Sequence, residues 1–150
     1  MKSRIVALFA LVSMVVVGTL VAEDAAKVDW AKIKCVVSGK PVNVERKAEF
    51  KGGEVYFCCP GCAASYAKDA TKFTAKANHQ LVATGQAKQE GCPMSGKPVK
   101  ADAKVTIGGV DVAFCCNNCK GAAEKMAADE QVSKVFGDEA FGKAFKVSKK

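Results

Sequence analysis

Eight cysteines fall into two groups of four with one spacing: Cys35, Cys58, Cys59 and Cys62, then Cys92, Cys115, Cys116 and Cys119. Each group reads C-x22-C-C-x2-C, ending in "FCCPGC" and "FCCNNC". Thiols at this density can ligate a metal as thiolates, pair as disulfides, or exchange disulfides with another protein. An even cysteine count suits disulfides in an exported chain. A C-x3-C pair on one helical turn, with a further cysteine delivered by a returning hairpin, has instead the spacing of a metal site. The segment Cys59-Pro60-Gly61-Cys62 also spells the C-x-x-C of thiol-disulfide oxidoreductases, but so short a unit supplies no parallel sheet to carry that chemistry.

The cysteines belong to a duplicated segment. Setting Cys35 on Cys92 keeps the chain in register without a gap to Tyr66 and Ala123, with 13 of 32 positions identical. "SGKPV", a turn glycine, Val-x-Phe and all four cysteines are shared. In each copy "SGKPV" gives a tight turn. The alternation of Val105 and Ile107 with Val110, Val112 and Phe114 about Gly108-Gly109 predicts a β-hairpin with one apolar face. The first copy predicts the same from Ala48 and Phe50 before Gly52-Gly53 and Val55 and Phe57 after it.

After each cluster the composition turns to alanine and lysine, so each cluster sits where a strand becomes a helix. There the exposed N-H groups and the helix dipole favour thiolate. Phe73, Ala77 and Leu81 recur at i, i+4, i+8 and predict a second helix on the first hairpin. The fold class expected is α+β, with two tandem units, each a hairpin and one or two helices. Residues 23–83 form the first unit, 84–91 a linker ("TGQAKQEG" with Thr84 first and Gly91 last), and 92–150 the second unit. Units of this size and apolar content need disulfides, a metal or a partner for stability.

This cysteine pattern resembles the TRASH and YHS families, small treble-clef-like metal-binding modules. Cys35-x22-Cys58-x3-Cys62 and Cys92-x22-Cys115-x3-Cys119 carry the likeness, with "VYFCCPGC" and "VAFCCNNC" as an aromatic-Cys-Cys ending. The resemblance implies a thiolate site for a transition metal in each unit. It also implies a role in heavy-metal sensing, handling or trafficking, with a metal transporter or metalloprotein of the envelope as partner. A knuckle position that often holds cysteine in those families is Ser38 here, and Ser95 in the second copy. All eight cysteines are therefore candidate ligands, with about one Zn(II) or Cu(I) per unit. Three thiolates are favoured, with Cys59 or Cys116 as an adjustable fourth, because neighbouring side chains at a helix start point in different directions.

The amino end, "MKSRIVALFALVSMVVVGTLVA", has a basic start, an apolar run and small residues before Ala22, the pattern of a cleaved secretory signal over residues 1–22. An exported chain, periplasmic or extracellular, without a membrane span after cleavage is expected. Loss of Lys2 and Arg4 would take the net charge from +8 to +6. The lysines are interleaved with alanine and acid rather than clustered, which argues against nucleic acid as a partner.

His79 is the one histidine and has no counterpart in the second copy, so it is expected on a helix surface. Met94 is expected in core packing, Trp30 over an apolar face, and "KVSKK" as a frayed end. No serine-histidine-acid set and no phosphate loop is present, so catalysis by the chain is not expected. The alternatives to metal binding are a disulfide-stabilised interaction module and a thiol-disulfide redox protein.

Overall fold

The computed structural model describes residues 28–148; the expected signal segment lies outside them. The fold is α+β, built from three small antiparallel strand pairs and five α-helices among the described residues. In the first unit β1 (Asn43–Phe50) pairs with β2 (Gly53–Phe57). Next come α1 (Pro60–Lys68), a 3-10 turn (Ala70–Phe73) and α2 (Thr74–Ala83). In the second unit β4 (Lys104–Ile107) pairs with β5 (Val110–Ala113). Three helices follow: α3 (Asn117–Glu124), α4 (Ala128–Val135) and α5 (Asp138–Ala144).

The hairpin faces follow the predicted alternation. Val55, Phe57, Ile107, Val112 and Phe114 are fully buried, each worth roughly 1.5–3 kcal/mol of transfer free energy. Both hairpins close with two-residue loops in the left-handed region. The second is Gly108-Gly109 as predicted, at φ +58° and +85°. The first is Lys51-Gly52, at +51° and +82°, rather than Gly52-Gly53, because Phe50 pairs with Gly53. Gly53 is needed for another reason: a Cβ there would lie 2.7 Å from Leu81 Cδ2.

The stretch expected as a linker is ordered. Ala87–Gln89 form β3, which pairs antiparallel with β6 (Phe145–Val147). The expected frayed end is therefore a strand through Val147, and the Ser148 N-H donates to the Gln86 carbonyl. Three-residue strands are too short to show alternation, so neither had a sequence signal.

Two apolar cores result. Cys35, Val36, Val55, Phe57, Cys62, Tyr66 and Ala77 form one, and Phe73 packs on it. The larger gathers residues of the second unit around Ile107, Phe114, Phe136 and Phe145, and takes in Leu81 from α2. Helix α2 thus serves both. Ala77 and Gln80 face the first hairpin, while the Asn78 amide donates to the Phe136 carbonyl at 2.8 Å.

His79 is half-buried against the second unit rather than on an open helix surface. Its Nε2 is 3.1 Å from the Ile107 carbonyl, and its ring meets Phe136 edge-on at 4.8 Å. Burial pushes its pKa below the ordinary value against the opposing pull of the Ile107 and Gly108 backbone. A Cβ on Gly108 would lie 2.6 Å from His79 Nε2, so the second hairpin tip must be bare to receive α2. At the other tip Lys51 pairs with Asp138, and its ammonium sits 5.0 Å from the centre of the Phe141 ring. Trp30 lies edge-on to Tyr56 at 4.9 Å, and Met94 packs on the second core.

Candidate metal centres

Each site is assembled from a knuckle, a strand end and a first helical turn. In the first knuckle the Cys35 N-H donates to the Lys40 carbonyl at 2.7 Å, and the Gly39 N-H to the Cys35 carbonyl at 2.9 Å. Gly39 has φ +70°, a conformation that favours glycine. The second knuckle repeats this with Cys92, Lys97 and Gly96, at 2.9 Å, 2.7 Å and φ +70°. The buried Cys35 and Cys92 thiols are thereby fixed under the ends of β2 and β5.

The helices begin alike although their loops differ. Cys59 caps α1 and Cys116 caps α3, both in extended backbone, with φ near −154° and −162°. Pro60 takes the first helical position, where its missing N-H costs no hydrogen bond; Asn117 stands there in the second unit.

The outcome is two triads. The Sγ atoms of Cys35, Cys58 and Cys62 all lie within 4.8 Å of one another, and so do those of Cys92, Cys115 and Cys119. Cys58 and Cys62 are 3.6 Å apart, and Cys115 and Cys119 are 3.7 Å apart. No disulfide joins any of the eight cysteines. Cys59 and Cys116, counted among the candidate ligands from sequence, stand outside the triads. Cys59 turns back over the first turn of its helix, with Sγ 3.9 Å from where a Cβ on Gly61 would be. Cys116 Sγ is 3.7 Å from Cys115 Sγ. Ser38 Oγ and Ser95 Oγ each come within 3.2 Å of a triad sulfur, that of Cys58 and of Cys115.

Ionisation differs by position and agrees between copies. Burial raises the Cys35 pKa, but backbone N-H groups, led by that of Ser38, outweigh it and lower the thiol to about 7. Cys92 likewise falls to about 7, with burial opposed first by the backbone at Cys115 and then by the Ser95 hydroxyl. The backbone of the first helical turn, at Cys62 and at Cys119, also holds Cys59 and Cys116 below the ordinary thiol value. The helix-start argument fails for Cys62 and Cys119, which burial and then neighbouring thiols push up to about 12. A cation placed among these sulfurs reverses that last effect, since a coordinated thiol is deprotonated.

Sequence reasoning missed two glutamines. Gln80 Nε2 donates to the Lys34 carbonyl at 2.8 Å and to the Tyr56 carbonyl at 3.0 Å, and its Oε1 accepts the Tyr56 N-H at 2.6 Å. Gln89 Nε2 donates to the carbonyls of Gly91 at 2.9 Å and Ala113 at 2.7 Å, and its Oε1 accepts the Ala113 N-H at 2.9 Å. Neither glutamine lies in the aligned repeat, so no repeated letter marks them.

Three buried or half-buried sulfurs converging from two chain segments can hold one soft or borderline cation in each unit. Comparison of the chain with protein-family models, curated proteins and solved structures finds no match.

Proposed function

We propose that the protein binds one soft transition-metal ion, Cu(I) or Zn(II), at each triad, and serves as a carrier, buffer or sensor module for that metal in an exported compartment. The observation that carries the reading is the recurrence of the three-sulfur group, with the same knuckle and the same helix start, in two segments of which 19 of 32 aligned positions differ. A purely structural disulfide arrangement does not require three sulfurs to converge at both places.

Three thiolates without a fourth protein sulfur suit trigonal Cu(I) and leave a position through which metal can be passed on. Zn(II) would complete its tetrahedron with water, Cys59 or Cys116, or a ligand from a receiving protein. That receiver is an envelope metal transporter or metalloprotein, and the likeness of the cysteine pattern to TRASH and YHS modules supports the same role. The backbone N-H groups that lower the Cys35 and Cys92 thiols favour the thiolate, the form that binds metal.

The test is metal content together with free thiols on residues 23–150, purified without chelator or reductant. About two ions per chain with all cysteines recovered as thiols after denaturation supports the reading. A metal-free chain with no free thiols supports the disulfide module in its place. Turnover in a disulfide-reduction assay by a metal-free chain would point to the redox protein.

A further inference from the structure

The two glutamine amides meet corresponding atoms. The 57-residue shift that takes Cys35 to Cys92 also takes Lys34 to Gly91 and Tyr56 to Ala113. Gln80 and Gln89 therefore bond the same three backbone groups in their units: the carbonyl before the first triad cysteine, and both the N-H and the carbonyl two residues before the second. The side chains that do this are not counterparts. The same shift takes Gln80 to Gly137, and Gln89 back to Lys32. One clamp arrives from α2, behind its hairpin, and the other from β3, ahead of its knuckle. Duplication of the segment explains the shared knuckle and helix start, but it does not explain a clamp supplied twice from unrelated positions.

We propose that Gln80 and Gln89 are positioning residues for the two metal triads, each holding the knuckle cysteine at ligating distance from the strand-end cysteine of its own unit. This rests on the metal reading above. The knuckle and the strand end are separate pieces of chain, and a metal drawing its ligands from both needs them held at one separation before it arrives. A neutral amide with three hydrogen bonds does so without adding a charge beside the thiolates. Gln80 is 2% exposed, where such bonds are little weakened by water. Groups that orient ligands rather than bind metal typically change affinity by roughly 10- to 100-fold when removed.

The test uses the full reduced chain with Cd(II) as probe, read by the thiolate-to-metal absorption band and by 113Cd resonances. The variants are Gln80→Met and Gln89→Met, which keep side-chain length but lose all three hydrogen bonds. Each variant is expected to weaken Cd(II) binding at its own unit by roughly 10- to 100-fold and to move that unit's resonance alone, with the other site as internal reference. Wild-type affinities and unmoved resonances in both variants would overturn the proposal. So would equal weakening of the two sites, which marks a general loss of fold. If Gln80→Met fails to fold, Gln89→Met decides, because Gln89 is only half-buried. A wild-type chain with no thiolate-to-cadmium band removes the metal reading and this inference with it. A wild-type band with unchanged affinities and resonances in the variants removes the inference alone.

Discussion

In the first unit α2, which holds the first hairpin through Gln80, is also the surface on which the second unit rests; in the second unit, α3 to α5 gather around a core that takes in Leu81 from α2. The hairpin tips show the same asymmetry. Lys51 stands at the first tip and reaches out to Asp138 and Phe141, whereas at the corresponding place in the second tip Gly108 yields room to His79. The knuckles, helix starts and triads show no such divergence. Geometry around the sulfurs is kept while everything that joins the units has been rebuilt, as expected if each site needs its own geometry and the pair needs only one way of packing.

The largest effect should come from removing a knuckle sulfur. Cys35→Ala and Cys92→Ala should each lower bound metal from about two ions per chain to about one, and elemental analysis of the two variants would show whether the sites are independent. Loss of both ions in either variant would break the equivalence drawn between the units.

Next come the tips. Gly108→Ala meets both a left-handed backbone, costing about 1–2 kcal/mol, and the His79 ring, adding about 1–3 kcal/mol of overpacking. Gly52→Ala has only the backbone cost, since nothing lies within 4 Å of its Cβ. Urea midpoints of the two variants measure the difference.

A smaller effect follows from His79, held neutral by burial. As pH falls through about 6.5 the unfolded chain takes up a proton that the folded chain still refuses, so stability declines from there downward. The decline stops once the folded histidine is protonated too. Wild type should lose more stability than His79→Gln between about pH 7 and pH 5.5 by denaturant titration.

The smallest change is expected at Tyr66, whose buried hydroxyl has no hydrogen-bond partner among the described residues and whose counterpart is Ala123. Tyr66→Phe should be neutral or stabilising by up to about 1 kcal/mol in thermal melts.

What was legible in the sequence is what repeats or alternates. The triads could be read because three cysteine distances recur, and the hairpins because Val105, Ile107, Val110 and Val112 alternate about two glycines. The same reading put His79 on a surface, since it judged the residue by the lack of a second ligand and had no means of knowing that another unit covers it. It made a linker of residues 84–91 because β3 is too short for any period, and its partner β6 lies at the far end of the chain. Gln80 and Gln89 were invisible for a related reason: their partners are backbone atoms, which leave no mark in side-chain identity.

The double-faced helix α2 also sets an order in time. The Asn78 amide bonds a carbonyl 58 residues further on, and a chain made at about 5–20 residues per second supplies it only some 3–12 seconds later. By the end of that interval the first triad, its knuckle and its clamp have long been synthesised, while Leu81 and the outer face of α2 still lack the complete core they pack on. A half-made chain therefore holds every residue of the first triad before the second core exists, and it carries an uncovered apolar face until its last strand arrives.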